Sequence, residues 1–216
     1  MNKIIKIPYQ DIFIDNKIYF SKINGLLKKI LSSGINKHAI CKNGYATLND
    51  NVFIKDNFPD EIQPLIRVLK GSTGKYKFCI YPYNKDGKLI GFDMLNNNTR
   101  EYLEKNLKKD RTDWFGFGRT QALKDTYKNK IAISSLIKSK DSLKIKKLEK
   151  GEGVYSGLYI ITDKEFSQIQ KALINPIFVK FVESLRKYKN GGFYTFNTSD
   201  VTKYLNYYFE NGGINE

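Results

Sequence analysis

The sequence is short of the residues that most enzyme chemistry uses. It has one histidine in 216 residues. His38 is therefore the only imidazole that could serve as a general base. It sits beside Ala39, Ile40 and Cys41, which read as a short buried strand, so a structural role outweighs a catalytic one. The two cysteines, Cys41 and Cys79, lie far apart and form no metal-binding spacing. A zinc site built on thiols and imidazole would have only Cys41, Cys79 and His38 to draw on. So few thiols read as a reduced, cytoplasmic protein. No apolar run is long enough to span a bilayer, and the N-terminus lacks the apolar segment of a signal peptide. Repeats and Pro/Gly-rich linkers are also missing. The length suits a single domain over residues 1–216, with 1–37 as a lead-in strand and helix and 38–208 as the core.

Acidic residues are scarce as well. Twenty-two stand against 37 lysines and arginines, a formal net charge of +15, and the isoelectric point is about 9.6. A polyanion is the partner such a charge suits best. Lysine far outnumbers arginine, which AT-rich coding would also produce. What the chain does have is apolar and aromatic residues, at 41% and 14%, enough for a packed core.

Hydrophobic spacing predicts mixed elements. Residues 1–19, with Ile4, Ile5, Ile7, Ile12, Phe13, Ile14 and Ile18, read as extended around Pro8. Phe20 to Leu31 has helical spacing and stops at Ser32-Ser33-Gly34. Residues 39–54 read as short strands with Asn43-Gly44 as a turn. Leu65–Lys70 and Tyr76–Tyr83 read as strands, and Asn84-Lys85-Asp86-Gly87 as a hairpin turn into Lys88–Met94. Thr99–Lys109 is a charged helix capped by Asn98 or Thr99. A short helix near 120–126 precedes strands near 131–137, 143–148 and 154–161. Asp163 is placed to cap a helix to about Leu173. Asn175-Pro176 opens another, and Thr198 or Ser199 caps a last one to about Tyr208. Without a βαβ rhythm the class is α+β: mixed, largely antiparallel twisted sheets with flanking helices.

The densest chemistry lies in Asp110-Arg111-Thr112-Asp113-Trp114-Phe115-Gly116-Phe117-Gly118-Arg119-Thr120-Gln121. Trp114 to Gly118 approximates the F-x-G-x-G loop that holds S-adenosylmethionine. Asn175-Pro176-Ile177-Phe178 approximates an adenine-gripping N-P-P-Y loop. Context opposes both. A cofactor loop ends a buried strand, whereas Lys108 to Asp113 is charged, and a cap followed by proline accounts for Asn175. The alternative is nucleic-acid recognition. Arg119 can bond guanine bidentately and Gln121 can bond adenine. Gly116 and Gly118 allow close backbone approach. The aromatics, Trp114 among them, form either a stacking platform or anchors into the core.

Other stretches add charge. Lys124, Lys128, Lys130, Lys138, Lys140, Lys144, Lys146, Lys147 and Lys150 face only Asp125, Asp141 and Glu149, which fits phosphate contacts or a solvated edge. Arg67 and Lys70 precede a Gly71-Ser72-Thr73-Gly74 loop, and Tyr81 and Tyr83 end the next strand. Lys187 to Tyr194, with its double glycine, reads as architectural.

Taken together, several segments resemble the target recognition domain of bacterial N6-adenine DNA methyltransferases of restriction–modification systems. They are Asn43-Gly44-Tyr45-Ala46-Thr47-Leu48-Asn49-Asp50-Asn51-Val52-Phe53-Ile54, the Ile80-Tyr81-Pro82-Tyr83 hairpin with Gly87-Lys88, Tyr102-Leu103 through Arg111 to Gln121, and Gly191-Gly192-Phe193-Tyr194. They occur in the family's order and cover about residues 38–208. The resemblance implies duplex DNA recognition without chemistry in this chain. It departs in one respect: that domain usually follows a catalytic domain, and this chain starts at Met1 without one, as a separate specificity subunit or a fragment. The expected partners are duplex DNA and a methyltransferase catalytic subunit that carries S-adenosylmethionine, with no cofactor here and no membrane. The expected DNA contacts are Arg119, Gln121, Lys70, Arg111, Trp114, Arg67, Tyr83, Lys124, Lys128 and Lys130. The rival readings are a magnesium-dependent nuclease using Asp50, Asp56, Asp60 and Glu61, a complete methyltransferase, and an RNA-binding or inhibitory module.

Overall fold

The computed structural model describes residues 6–14, 16–34 and 38–214. Ile4 and Ile5 of the expected lead-in strand lie outside them. The described residues combine helices with mostly antiparallel strands, the expected α+β class. Their contacts gather into two compact units. One contains residues 1–41, 135–143 and 162–216, and the other residues 42–134 and 144–161. The core expected over 38–208 is thus divided between both.

The first unit is mainly helical. Around Pro8 the chain forms a short helix, Tyr9–Ile12, and then a small hairpin of Phe13–Ile14 with Lys17–Ile18, where one extended segment was predicted. Helices Asn24–Leu31, Phe166–Leu173, Pro176–Ser184 and Thr198–Glu210 supply most of the core. Phe178, Phe181 and Tyr204 are fully buried, with Tyr204 4.8 Å from Phe178 and 5.6 Å from Phe181 between ring centroids. The helix starts follow side-chain chemistry. Asn175 accepts from the Ile177 N–H at 2.8 Å, and Pro176 opens the helix where its missing N–H costs nothing. Two starts shift from prediction. Glu165, not Asp163, caps Phe166–Leu173, because Glu165 and Gln168 satisfy each other's N–H groups. Asn197, not Thr198 or Ser199, caps the last helix through the same reciprocity with Asp200. His38 is tied into this unit through its backbone. Its N–H donates to buried Asn206, its carbonyl accepts from Thr162, and its ring lies edge-on to Phe209.

The second unit is built on strands. Leu65–Lys70 and Lys75–Ile80 form an antiparallel hairpin, flanked by Ile54–Lys55 on one side and by Gly153–Tyr155, running parallel, on the other. Lys130–Ile133 lies antiparallel between Leu158–Thr162 and Ile145–Leu148. The strand predicted over 131–137 breaks after Ile133. Ser134 turns to donate to the Lys144 carbonyl at 3.0 Å, and Leu136–Ile137 joins a different sheet. The helix Asn97–Asn106 begins two residues earlier than predicted, because the Asn96 side chain accepts from the Thr99 N–H at 2.8 Å. That leaves the Thr99 hydroxyl free to bond both backbone groups of Gln63.

Asp125 organises one side of this unit. Its carboxylate is fully buried and accepts from Lys42 at 2.6 Å, Lys128 at 2.7 Å and Tyr159 at 2.9 Å. Burial alone would push the carboxyl up, but the hydrogen bonds from Lys128, Lys42 and Tyr159 outweigh it and hold it down at about 2. The folded carboxyl therefore ionises below the unfolded one. The stability it contributes is present above about pH 4 and is lost as pH falls toward 2. Chemical denaturation should show a loss of about 2 kcal/mol over that interval. Asp125→Asn should be less stable at neutral pH and should lack this acid-dependent loss.

Candidate nucleic-acid interface

The stretch from Asp110 to Gln121 follows the helix Asn97–Asn106 and runs as irregular turns within the second unit. Its backbone is tied down at several points. Phe117 is buried among Tyr45, Phe53, Tyr81 and Tyr83, with centroid distances of 5.6, 5.2, 6.1 and 5.1 Å. The Phe117 N–H donates to the Tyr83 hydroxyl. Phe115 is buried too, 5.0 Å from Phe92. Trp114 is half-buried, 4.9 Å from Phe92, with the Lys109 ammonium 5.2 Å above its ring. Arg111 folds back on the loop. Its Nη2 donates to the Gly116 carbonyl at 2.8 Å, and its Nε lies 3.5 Å from Asp113. The Gly118 and Arg119 N–H groups donate to the carbonyls of Thr47 and Ala46, at 3.0 and 3.1 Å. Ala46 and Arg119 thereby form an antiparallel bridge.

Beyond these ties, Arg119 and Gln121 project from the surface. Both are exposed, and neither side chain has a hydrogen-bond or ion-pair partner among the described residues. Lys124 is likewise exposed and unpaired, and half-buried Lys70 has no side-chain partner. These four retain free donors.

No protein-family model matches the chain, and no curated protein matches it.

The remaining expected contacts have partners within the protein; Tyr83 and Lys130 are buried, which corrects the surface role expected of them, while Lys128, Arg67 and Arg111 stay exposed and Trp114 is half-buried. Tyr83 is buried and its hydroxyl is occupied by Phe117; burial pushes the phenol pKa up. Lys130 is buried, and its ammonium donates to the carbonyls of Thr126, Asp125 and Lys128 at 2.6, 3.1 and 3.3 Å. Desolvation pulls its pKa down to about 8. Lys128 is held by Asp125. Arg67 pairs with Glu152 at 3.2 Å and lies 4.1 Å over the Tyr76 ring. Arg111 and Trp114 shape the loop itself. Within the lysine field, the Lys146 ammonium also lies over the Tyr76 ring, 4.5 Å from its centroid, while Lys144, Lys147 and Lys150 are exposed.

The loop's resemblance to a cofactor-binding turn does not extend to its context, since a helix and not a strand leads into it. The carboxylates weighed for a nuclease are dispersed in their bonding. Asp50 accepts from Thr47, and Asp56 pairs with Lys77 at 3.2 Å.

Sequence reasoning missed Leu48. It is 68% exposed and has a left-handed backbone, with φ of +62°. Only Gly118 hinted at it, because a Cβ there would come 2.1 Å from Leu48 Cδ1.

The two kinds of residue should separate on mutation. Tyr83→Phe removes the acceptor of a buried N–H and should cost about 1–3 kcal/mol in urea denaturation. Arg119→Ala should stay within about 0.5 kcal/mol of wild type, as expected for a surface change that breaks no contact.

Proposed function

We propose that this chain is a sequence-specific duplex DNA-binding subunit that directs a separate adenine-N6 methyltransferase of a restriction–modification system. The observation that carries this reading is the state of Arg119 and Gln121. A forked cation and an amide stand exposed and unpaired on a backbone pinned by a bridge and by buried aromatics. An exposed arginine side chain without a partner adds little to the stability of the fold. Its bidentate donors match guanine, and those of Gln121 match adenine. Pinning the backbone reduces the entropy lost when these side chains engage a base edge.

The net charge of +15 supports the same reading. Lys124, Lys144, Lys147 and Lys150 are the exposed lysines suited to phosphates, which give affinity and register without sequence information. The ordered set of motifs that resemble a methyltransferase target recognition domain supplies the remaining part. The methyl donor, S-adenosylmethionine, belongs to the catalytic subunit, which extrudes the adenine to reach it.

Selection from a randomised duplex pool should enrich a defined site. Affinity for duplex should fall by roughly a decade or more for each few-fold rise in salt, as counterions released from phosphates predict. A flat salt response, tighter binding to structured RNA, or magnesium-dependent cleavage by the chain alone would overturn the proposal. On the enriched site, Arg119→Ala should lose about 10- to 100-fold in discrimination, equivalent to about 1–3 kcal/mol per bidentate contact. Its affinity for unrelated duplex should change far less. Equal losses on both would make Arg119 a phosphate contact.

A further inference from the structure

Leu48 is an apolar side chain in a place where folding alone gives no reason for one. It is 68% exposed, and its φ is +62°. In the left-handed region Cβ crowds the following carbonyl, so L-residues other than Asn and Asp seldom occupy it. Glycine or asparagine would suit both the backbone and the solvent. The turn is nonetheless well held: the Thr47 hydroxyl donates to Asp50 and accepts from the Asn49 N–H at 3.1 Å.

The leucine is also aimed. Its side chain lies over Gly118, where a Cβ would sit 2.1 Å from Leu48 Cδ1 and 2.2 Å from Cγ. Gly118 bonds the Thr47 carbonyl and Arg119 bonds that of Ala46, so Leu48 and Arg119 issue from the two sides of one backbone bridge. Leu48 borders a cleft of 350 Å³ shared with Asn49, Asn106, Lys108, Asp110 and Trp114. The cleft mixes amides and charged groups with Leu107 and the half-buried Trp114, and is not the broad exposed apolar patch that a protein partner requires.

We propose that Leu48 is a wedge that enters the base stack of duplex DNA beside the step read by Arg119. Apolar side chains used this way part a base step and kink the duplex. The left-handed turn sets the leucine against Gly118, which makes room for it, with most of its surface open to solvent. The inference rests on the duplex DNA reading given above.

The test is a set of duplexes containing the enriched site, each with 2-aminopurine at one position. Fluorescence reports unstacking, and anisotropy in the same samples reports binding. Wild type should give a several-fold rise at one step. Leu48→Asn and Leu48→Gly should bind within a few-fold of wild type but abolish the rise, and both should melt at or above the wild-type temperature. Gly118→Ala, which displaces the leucine, should weaken the rise. Bound wild type without any rise, or a full rise with Leu48→Asn, would overturn the wedge and leave DNA recognition standing. A lower melting temperature in both Leu48 variants would overturn the account of the turn. Failure of wild type to bind duplex would overturn both the wedge and the function it rests on.

Discussion

The packing of Phe117 beneath its own loop is the constraint on which the proposed interface depends. Four aromatic rings surround it, and its N–H is satisfied by the Tyr83 hydroxyl. Fully burying a side chain of this size contributes roughly 1.5–3 kcal/mol. Edge-on aromatic pairs add about 0.5–1.5 kcal/mol each. An irregular loop of turns and glycines would otherwise sample many conformations. With Phe117 and Phe115 inserted and Arg111 bonded to the Gly116 carbonyl, the backbone at Arg119 has one course. The exposed side chains inherit that order. A loop can therefore do what recognition ordinarily demands of a helix or strand, presenting donors at fixed positions.

The same unit shows how a strongly basic chain partitions its cations. Asp125 and Lys130 are buried together, with Lys42 and Lys128 drawn to the carboxylate and the Lys130 ammonium set against three carbonyls. These groups hold the fold. Arg67, with Glu152 on one side and the Tyr76 ring beneath it, is engaged too. Among the cations left over are Arg119, Lys124, Lys70 and the exposed lysines of the strand Ile145–Leu148 and its flanks. Net charge alone overstates how much of the molecule is available to a polyanion. Which cations remain free is set by a few carboxylates and carbonyls.

How far the sequence revealed this varied with the range of the interaction. Local chemistry was readable. Asn84 accepts from the Asp86 and Lys88 N–H groups and Gly87 takes a φ of +76°, as the predicted hairpin turn requires. Asn175-Pro176 opens a helix; for the aromatics of the key loop the sequence left platform and anchor both open, and the fold makes Phe115 and Phe117 anchors. The parallel pairing of Gly153–Tyr155 with Leu65–Lys70 left no local trace, since its partners lie far apart in the chain. The split between Lys124 and Lys130 was equally invisible, because burial of Lys130 depends on three carbonyls converging on it. Tyr83 looked like a surface stacking residue, and only the tertiary fold places it under Phe117. Leu48 stood in a polar turn, where its exposure and backbone conformation had no sequence signature beyond a glycine seventy residues on.

Amide hydrogen exchange of the full chain, with and without duplex containing its selected site, tests the central claim most directly. Duplex should slow exchange in the peptides spanning residues 46–50 and 116–124, with smaller effects along residues 144–150. The peptides covering Tyr83 should change little, because that residue is already buried and bonded. Protection confined to other segments, with residues 46–50 and 116–124 unchanged in the bound state, would contradict the assignment of this loop as the DNA-reading surface.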